Sequence, residues 1–268
     1  MRELPSITSR RNPIVAQFRR AHDGGDPGRL VVEGVRLLEE AARARATLEI
    51  VLASPRVADS ERGAPLLREL RERGVDVRSA TEEVVDAATT TRHAAGVAAL
   101  ARRPEVALDA LFPAGEPAFV VVAAGIADPG NLGTLVRTAD AAGATGFATT
   151  PESASPWNDK AVRATAGSVF RIPVAAGVRF SALAEKAKAA GARIAASVAA
   201  AGEDYAEADL RPPIVLVLGS EGFGLPDEIR RAADVLVRVP LRDGVESLNV
   251  SAAGAVLCFA VARRRRDA

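Results

Sequence analysis

The chain has a single cysteine, Cys258, in 268 residues, which excludes an internal disulfide framework. It lies in an apolar stretch with helical spacing, where a core thiol is the expected reading. Histidine is almost as scarce. With only His22 and His93 and no cysteine pair, no metal site is expected, zinc included. No apolar run approaches the roughly 18 residues that span a bilayer; even "AFVVVAAG" is of strand length. The opening "MRELPSITSRRNP" carries arginines without the apolar core of a signal peptide behind them, so a cytoplasmic location is expected. Excess charge is missing too: 35 basic against 34 acidic side chains leave a net charge of +1, and the whole molecule gives no sign of a polyanionic partner.

What is present is apolar bulk, at 48% of residues, enough for a substantial core or two. Charge is unevenly placed. Arg2, Arg10, Arg11, Arg19 and Arg20 stand against Glu3 alone within the first twenty residues, and Arg263, Arg264, Arg265 and Arg266 close the last helix. Clustered guanidinium groups suit phosphate. A solvated helix face and a frayed tail explain the same pattern.

From residue 30 to 100 short apolar runs alternate with helical spacing. "LVVEG", "LEIVLAS", "VDVRS" and "AAGVAALA" read as strands, and residues 35–46, "APLLRELRERG" and 82–88 as helices. The proline-rich "RRPEVALDALFPAGEP" interrupts the alternation. A first domain is therefore expected over residues 1–103, a linker over 104–116 and a second domain over 117–268. In the second, "AFVVVAAG", "TGFATT", "FRIPVAA", "ARIAASV", "PIVLVLGS" and "VLVRVPL" read as strands between helices, the last helix running from 248 to 263. Continuous Val/Ile/Leu strands separated by helices imply an α/β fold with a mostly parallel sheet covered on both faces. Ligands of such sheets bind beyond the carboxyl ends of the strands.

Three loops follow strands and carry chemistry-bearing residues. The first, "GIADPGNLGTLVRTADAAG", turns into a helix through Asp128, Pro129 and Asn131, with Arg137 further along. It has neither the glycine spacing of a dinucleotide fingerprint nor the lysine of a phosphate loop. As a plain connection, Asn131 caps the helix and Arg137 is a surface cation; an arginine on an otherwise apolar face, however, needs a partner. The second, "LVLGSEGFGLP", sets Glu221 among Gly219, Gly222 and Gly224, which allow close approach of backbone or positive φ. The third, "VPLRDGVESLNVSAAG", places Ser247 and Asn249 at the mouth of the last helix. Either side chain caps a helix start, and the unpaired N–H groups there also suit a ligand.

Together, "NLGTLVRTA", "LGSEGFGL" and "PL…SLNVS" resemble the three motifs of the SpoU/TrmH family of RNA 2′-O-methyltransferases in the SPOUT superfamily, with Val239 in an isoleucine place. "ITSRRNPIVAQFRR…LVVEGVRLLEEA" is similar to the accessory RNA-binding domain of that family's ribosomal-RNA branch, which resembles a small ribosomal-protein fold. The resemblance covers essentially the whole chain. It implies a deep trefoil knot near the last strands, S-adenosylmethionine as cofactor along Gly219, Val239, Leu241 and Leu248, and a homodimer. Arg137 takes the catalytic position beside the ribose hydroxyl, with Asn131 and Glu221 bracing it or the nucleotide and Ser247 and Asn249 completing the pocket. Arg163 and Arg171, in "VRATAGSVFRIP", and Arg10 and Arg11 fall to RNA contact, although Lys160 and Arg163 also fit a solvated face. Thr165 stands where the family often has serine and keeps the hydroxyl.

The expected activity is S-adenosylmethionine-dependent ribose methylation, and the appended first domain favours large-subunit ribosomal RNA over transfer RNA. A transfer-RNA enzyme and a non-catalytic RNA-binding protein on the same fold are the alternatives. The intact set of Asn131, Arg137, Glu221, Ser247 and Asn249 argues against the latter. A nucleotide-binding oxidoreductase fails on the missing fingerprint.

Overall fold

Strands of two to six residues, the longest of them apolar runs, form two sheets in the computed structural model, which describes residues 6–22, 25–90, 96–220, 222 and 224–266. Contacts divide the chain into two units, Met1–Pro104 with Trp157–Phe170, and Glu105–Pro156 with Arg171–Ala268. The segment Trp157–Phe170, inside the second stretch on the sequence reading, thus belongs with the first.

The first unit runs α1 (Pro13–His22), β1 (Arg29–Glu33), α2 (Val35–Arg43), β2 (Leu48–Ala53), α3 (Pro55–Ala58), α4 (Gly63–Glu72), β3 (Asp76–Ser79), α5 (Glu82–Ala87) and β4 (Val97–Arg102). Its sheet has the order β1-β4-β2-β3. β4 is antiparallel to β1 and β2, and β3 is parallel to β2. Val15 and Phe18 of α1 join Val31, Leu52, Val84, Val85 and Leu100 in the core, which leaves Arg19 and Arg20 exposed on the other side of α1. α2 buries Leu37, Leu38, Ala41 and Ala42, the stripe that a 3.6-residue period dictates. The sequence reading omitted α3, which is too short to show a period.

His22, at the end of α1, is a buried titratable group. Its Nδ1 lies 2.6 Å from Asp159 Oδ2 and its Nε2 3.0 Å from the Ala88 carbonyl, with 7% of the side chain exposed. Both neighbours are acceptors, so the imidazolium, with two N–H groups, satisfies both. Burial opposes the charge, but the Asp159 hydrogen bond, the Ala88 carbonyl and the fields of Asp159 and Glu33 outweigh it and raise the His22 pKa. The folded value therefore stands above the unfolded one. The charged ring contributes stability that is full below the ordinary histidine range and is lost as pH rises through the folded value. Unfolding of the unaltered chain and of His22→Gln, followed by denaturant titration at a series of pH values, is expected to show a stability gap that is widest in mild acid and closes in alkali. A gap independent of pH would contradict the imidazolium.

The second unit contains β5 (Phe119–Ala124), α6 (Pro129–Ala141) and β6 (Gly146–Thr149). After α7 (Asp159–Ala164), which groups with the first unit, come β7 (Val174–Ala175), α8 (Phe180–Ala189), β8 (Arg193–Ser197), β9 (Glu203–Asp204), β10 (Ile214–Gly219), α9 (Asp227–Ala232), β11 (Val235–Arg238) and α10 (Val250–Arg266). The sheet order is β7-β6-β5-β10-β8-β11-β9, with every pairing parallel. Phe180, Leu183 and Ile229 of α8 and α9 pack with Val120, Val122, Val215 and Val217 on one face. α10 packs against α6 on the other, so closely that a Cβ on Gly254 would stand 2.3 Å from Leu135 Cδ2 and 3.0 Å from Leu218 Cδ1.

Three local expectations change. The stretch 104–116, expected as a linker, includes the buried Leu111, and Val106, Leu108 and Phe112 pack on the second core; its prolines break periodicity without removing the apolar anchors. "FRIPVAA" yields only a two-residue strand, because Pro173 offers no N–H for a longer ladder. The arginine tail is not frayed: α10 continues to Arg266, where Arg264 donates to the Ala206 carbonyl at 2.5 Å and Arg265 to that of Gly143 at 2.9 Å. Among the described residues no helix is long and apolar enough to cross a membrane.

Candidate active site

All three loops leave the carboxyl ends of the parallel strands of the second unit. After β5, Gly125 takes φ 70° and Asp128 caps α6, its side chain accepting from Asn131 N at 2.8 Å with Pro129 at the first helical position. Asn131 is therefore not the cap. Its side-chain oxygen instead accepts from Asn249 Nδ2 at 3.1 Å, and its carbonyl from Ser251 Oγ at 3.1 Å.

Asn249 has a second task, since its Oδ1 accepts from Ser251 N at 2.9 Å, the cap of α10. One amide thus closes the helix start with its oxygen and ties the first loop to the third with its nitrogen. The capping reading of Asn249 is realised, and the bridge to Asn131 stands beside it. Asn249→Asp retains the capping oxygen and loses the donor, so it is expected to keep the melting temperature within about 2 °C, whereas Asn249→Ala loses about 1 kcal/mol of helix capping as well. Both variants lose the tie between the first and third loops, so faster amide exchange at the start of α6 is expected in each; unchanged exchange in Asn249→Asp would show the bridge to be dispensable.

Arg137 departs from expectation. Leu132, Leu135, Val136 and Ala139 form the buried stripe of α6, while Arg137 lies with Thr134 and Ala141 on the exposed stripe. It needs no internal partner there, and none stands beside it among the described residues. Asn131, turned to Asn249 and Ser251, does not hold it through any of these bonds. Glu221, the other expected brace, lies outside the described residues.

In the second loop, Ser220 and Gly224 pair across the turn, with Gly224 at φ 65°. A Cβ on Gly219 would stand 2.7 Å from the Gly224 carbonyl carbon and oxygen, so glycine is required for the turn to close. This turn walls a cleft of about 490 Å³. Gly219, Val239, Leu241 and Leu248, the expected cofactor residues, all line it, as do Ser247 and Val250. Asn131, Arg137 and Asn249 are not among its lining residues. Sequence reasoning missed Ser197, Val198 and Arg230; the rule that ligands gather after parallel strands applies to β8 as much as to β10 and would have found the first two.

The lining is chiefly alanine, valine, leucine and glycine backbone, and Arg230 is its one charged side chain among the described residues. Such a wall suits a flat heteroaromatic ring and a ribose, and the volume is within the range of ordinary small-molecule sites. Cys258, on α10, is buried, and burial pushes its thiol up to about 12, which leaves it unreactive. No group of three or more His, Cys, Asp or Glu among the described residues is placed to hold a metal.

The expected RNA contacts are dispersed. Arg171 pairs with Asp140 at 2.8 Å in the second unit. Arg10 lies 3.8 Å from Glu83 and Arg11 is exposed, both in the first unit. Arg163 is not on a freely solvated face: it is half-buried and donates to Glu33 at 3.3 Å and to Thr90 at 3.0 Å. The Thr165 hydroxyl is spent inside its own turn, donating to the Val162 carbonyl at 2.7 Å.

Comparison with known proteins gives this geometry a family. The SpoU rRNA Methylase family matches residues 118–259, and the family described as RNA 2′-O ribose methyltransferase substrate binding matches residues 31–107. The chain is 30% identical to 23S rRNA (guanosine(2553)-2′-O)-methyltransferase RlmP of Bacillus subtilis, over 96% of this chain and 98% of that one. It is 33% identical to 23S rRNA (guanosine-2′-O-)-methyltransferase RlmB of Xanthomonas campestris, over 80% and 86%. The crystal structure of an AdoMet-bound rRNA methyltransferase from Sinorhizobium meliloti superposes with a TM-score of 0.84 at 31% identity, over 97% of both chains. With its three loops gathered at the carboxyl ends of one parallel sheet and its full length shared with such relatives, the chain belongs to the SpoU rRNA methylase family.

Proposed function

We propose that the chain is an S-adenosylmethionine-dependent RNA (ribose-2′-O)-methyltransferase acting on large-subunit ribosomal RNA in the cytoplasm. The observation that carries this reading is the convergence of Gly219, Val239, Leu241, Ser247 and Leu248 on one cleft beside the Asn249–Asn131 bridge. Relatives named for 23S ribosomal RNA that match along both units support the substrate. Bound S-adenosylmethionine supplies an electrophilic sulfonium methyl.

The protein's contribution is orientation. The apolar wall of Val239, Leu241 and Leu248 takes the cofactor's adenosine, and Gly219, Gly222 and Gly224 offer backbone groups there. Arg137 orients the ribose 2′-hydroxyl and an adjacent phosphate. A guanidinium stays protonated in proteins, so a phosphate oxygen or water takes the hydroxyl proton. The Asn131–Asn249–Ser251 bridge holds the start of α6, and with it Arg137, against the start of α10. Ser247 hydrogen-bonds at the cleft mouth, and Glu221 braces Arg137 or the nucleotide.

The resemblance further supports a trefoil knot threaded through the last strands and a homodimer. Phe259 on α10 is 47% exposed, as an apolar side chain at a subunit interface would be in a single chain. Arg163, Arg171, Arg10 and Arg11 are assigned to RNA, and the domain limits 1–103 and 117–268 to substrate binding and methyl transfer. Transfer of labelled methyl groups to unmodified large-subunit ribosomal RNA, with transfer RNA alongside, tests the reading. Label on ribosomal RNA alone is expected; label on transfer RNA alone would replace the substrate.

A further inference from the structure

α9 carries four charged side chains, Asp227, Glu228, Arg230 and Arg231, and only Arg230 lines the cleft walled by Gly219, Val239 and Leu248. The helix explains the selection. Successive residues step by about 100°, so Glu228 and Arg230 point about 200° apart, and Glu228 instead lines a separate cavity of about 570 Å³ with Gly125 and Arg179. Arg231 turns back along the helix, its Nε donating to the Asp227 carbonyl at 3.3 Å.

Backbone fixes where Arg230 stands. The turn that closes through Ser220 and Gly224 runs directly into α9 by way of Pro226 and of Leu225, which is 7% exposed and also lines the cleft. Ile229 N and Arg230 N both donate to the Pro226 carbonyl, at 3.0 and 3.1 Å. Ile229, 3% exposed, anchors the helix in the core of the second unit. Arg230 itself is exposed, and its guanidinium has no ion-pair or hydrogen-bond partner among the described residues.

A guanidinium with its five N–H groups uncommitted, at the wall of a small-molecule site, calls for an anionic fork. S-adenosylmethionine has one. Its adenine and ribose are neutral, its sulfonium and ammonium are positive, and its α-carboxylate is the single negative group. No Asp or Glu among the described residues lines the cleft to compete for the arginine. Apolar side chains and glycine backbone serve the adenosine, which leaves the carboxylate as the part of the ligand in need of a cation.

We propose that Arg230 binds the α-carboxylate of S-adenosylmethionine and so selects a cofactor with an intact amino-acid tail. The proposal rests on the reading of the cleft as the S-adenosylmethionine site. The carboxylate is common to the cofactor and to its demethylated product, S-adenosylhomocysteine, so Arg230 holds both and takes no part in the methyl step.

Calorimetric titration of the full chain with S-adenosylmethionine and with decarboxylated S-adenosylmethionine, which lacks that one group, tests the assignment. The unaltered protein is expected to bind S-adenosylmethionine about tenfold more tightly than the decarboxylated form. Arg230→Gln is expected to weaken S-adenosylmethionine and S-adenosylhomocysteine about tenfold and the decarboxylated form by less than about twofold, so that the preference disappears, and Arg230→Lys to keep part of it. Arg231→Gln, a neighbour that does not line the cleft, stays within about twofold of the unaltered protein for each ligand. Raising the salt concentration narrows the preference, as an exposed ion pair requires. S-adenosylmethionine binding that shows no preference for the carboxylate, or that Arg230→Gln leaves unchanged, would overturn the role of Arg230 alone. No binding of S-adenosylmethionine by the unaltered protein would instead refute the cleft as a cofactor site, and the methyltransferase reading with it.

Discussion

Arg137→Ala is expected to lower kcat for methyl transfer by about 10²–10³ without changing the affinity for S-adenosylmethionine. Arg137 stands on the exposed stripe of α6 with no partner among the described residues, so its loss leaves no buried charge and does not disturb the fold. It does not line the cleft walled by Gly219, Val239, Leu241 and Leu248, so on the proposed reading its loss leaves cofactor binding apart from the chemical step. Lysine offers a point charge in place of a planar fork, and Arg137→Lys is expected to recover little. Single-turnover transfer at saturating RNA, with calorimetric binding of the cofactor alongside, gives both quantities. Near-normal turnover by the lysine variant would remove the orienting role.

Gly219→Ala is expected to abolish cofactor binding while the chain still folds. The added Cβ meets the Gly224 carbonyl group at 2.7 Å and Leu225 Cγ at 2.8 Å. Backbone cannot rotate away as a side chain can, so the Ser220/Gly224 pairing must open. That pairing is a wall of the cleft. Its two hydrogen bonds, Ser220 N to the Gly224 carbonyl at 3.2 Å and Gly224 N to that of Ser220 at 3.0 Å, lie just beyond the carboxyl end of β10, and their loss costs about 1–3 kcal/mol. The melting temperature falls by a few degrees, and the rise that excess S-adenosylmethionine gives the unaltered protein disappears. A normal ligand-induced rise in Gly219→Ala would separate the turn from the cofactor.

The strands and most helices were legible because each follows one local period. β5 and β10 are continuous apolar runs, and α2 repeats its leucines and alanines at three and four. The convergence of Gly219, Val239, Leu241 and Leu248 on one cleft was legible for a different reason: they lie in motifs, and motif position carries over where periodicity is silent. What escaped is tertiary. Asp128 and Asn131 are equivalent cap candidates in the string, and only the 3.1 Å contact with Asn249, 118 residues away, shows which is free to bridge. Arg137 looked embedded among apolar residues because a linear string hides the 100° step that turns it outward. Trp157–Phe170 gave no sign of its grouping with the first unit, since its link there is the His22–Asp159 and Glu33–Arg163 pairs, each joining charges more than a hundred residues apart.

The central claim is that one cleft and one exposed arginine transfer a methyl group to a ribose of ribosomal RNA. The most direct measurement incubates the protein with labelled S-adenosylmethionine and unmodified large-subunit ribosomal RNA, then maps the product by ribose-methylation-sensitive sequencing. Label at one 2′-hydroxyl, absent with Arg137→Ala, is the predicted result. Label on a base, or label that persists without Arg137, would contradict the account.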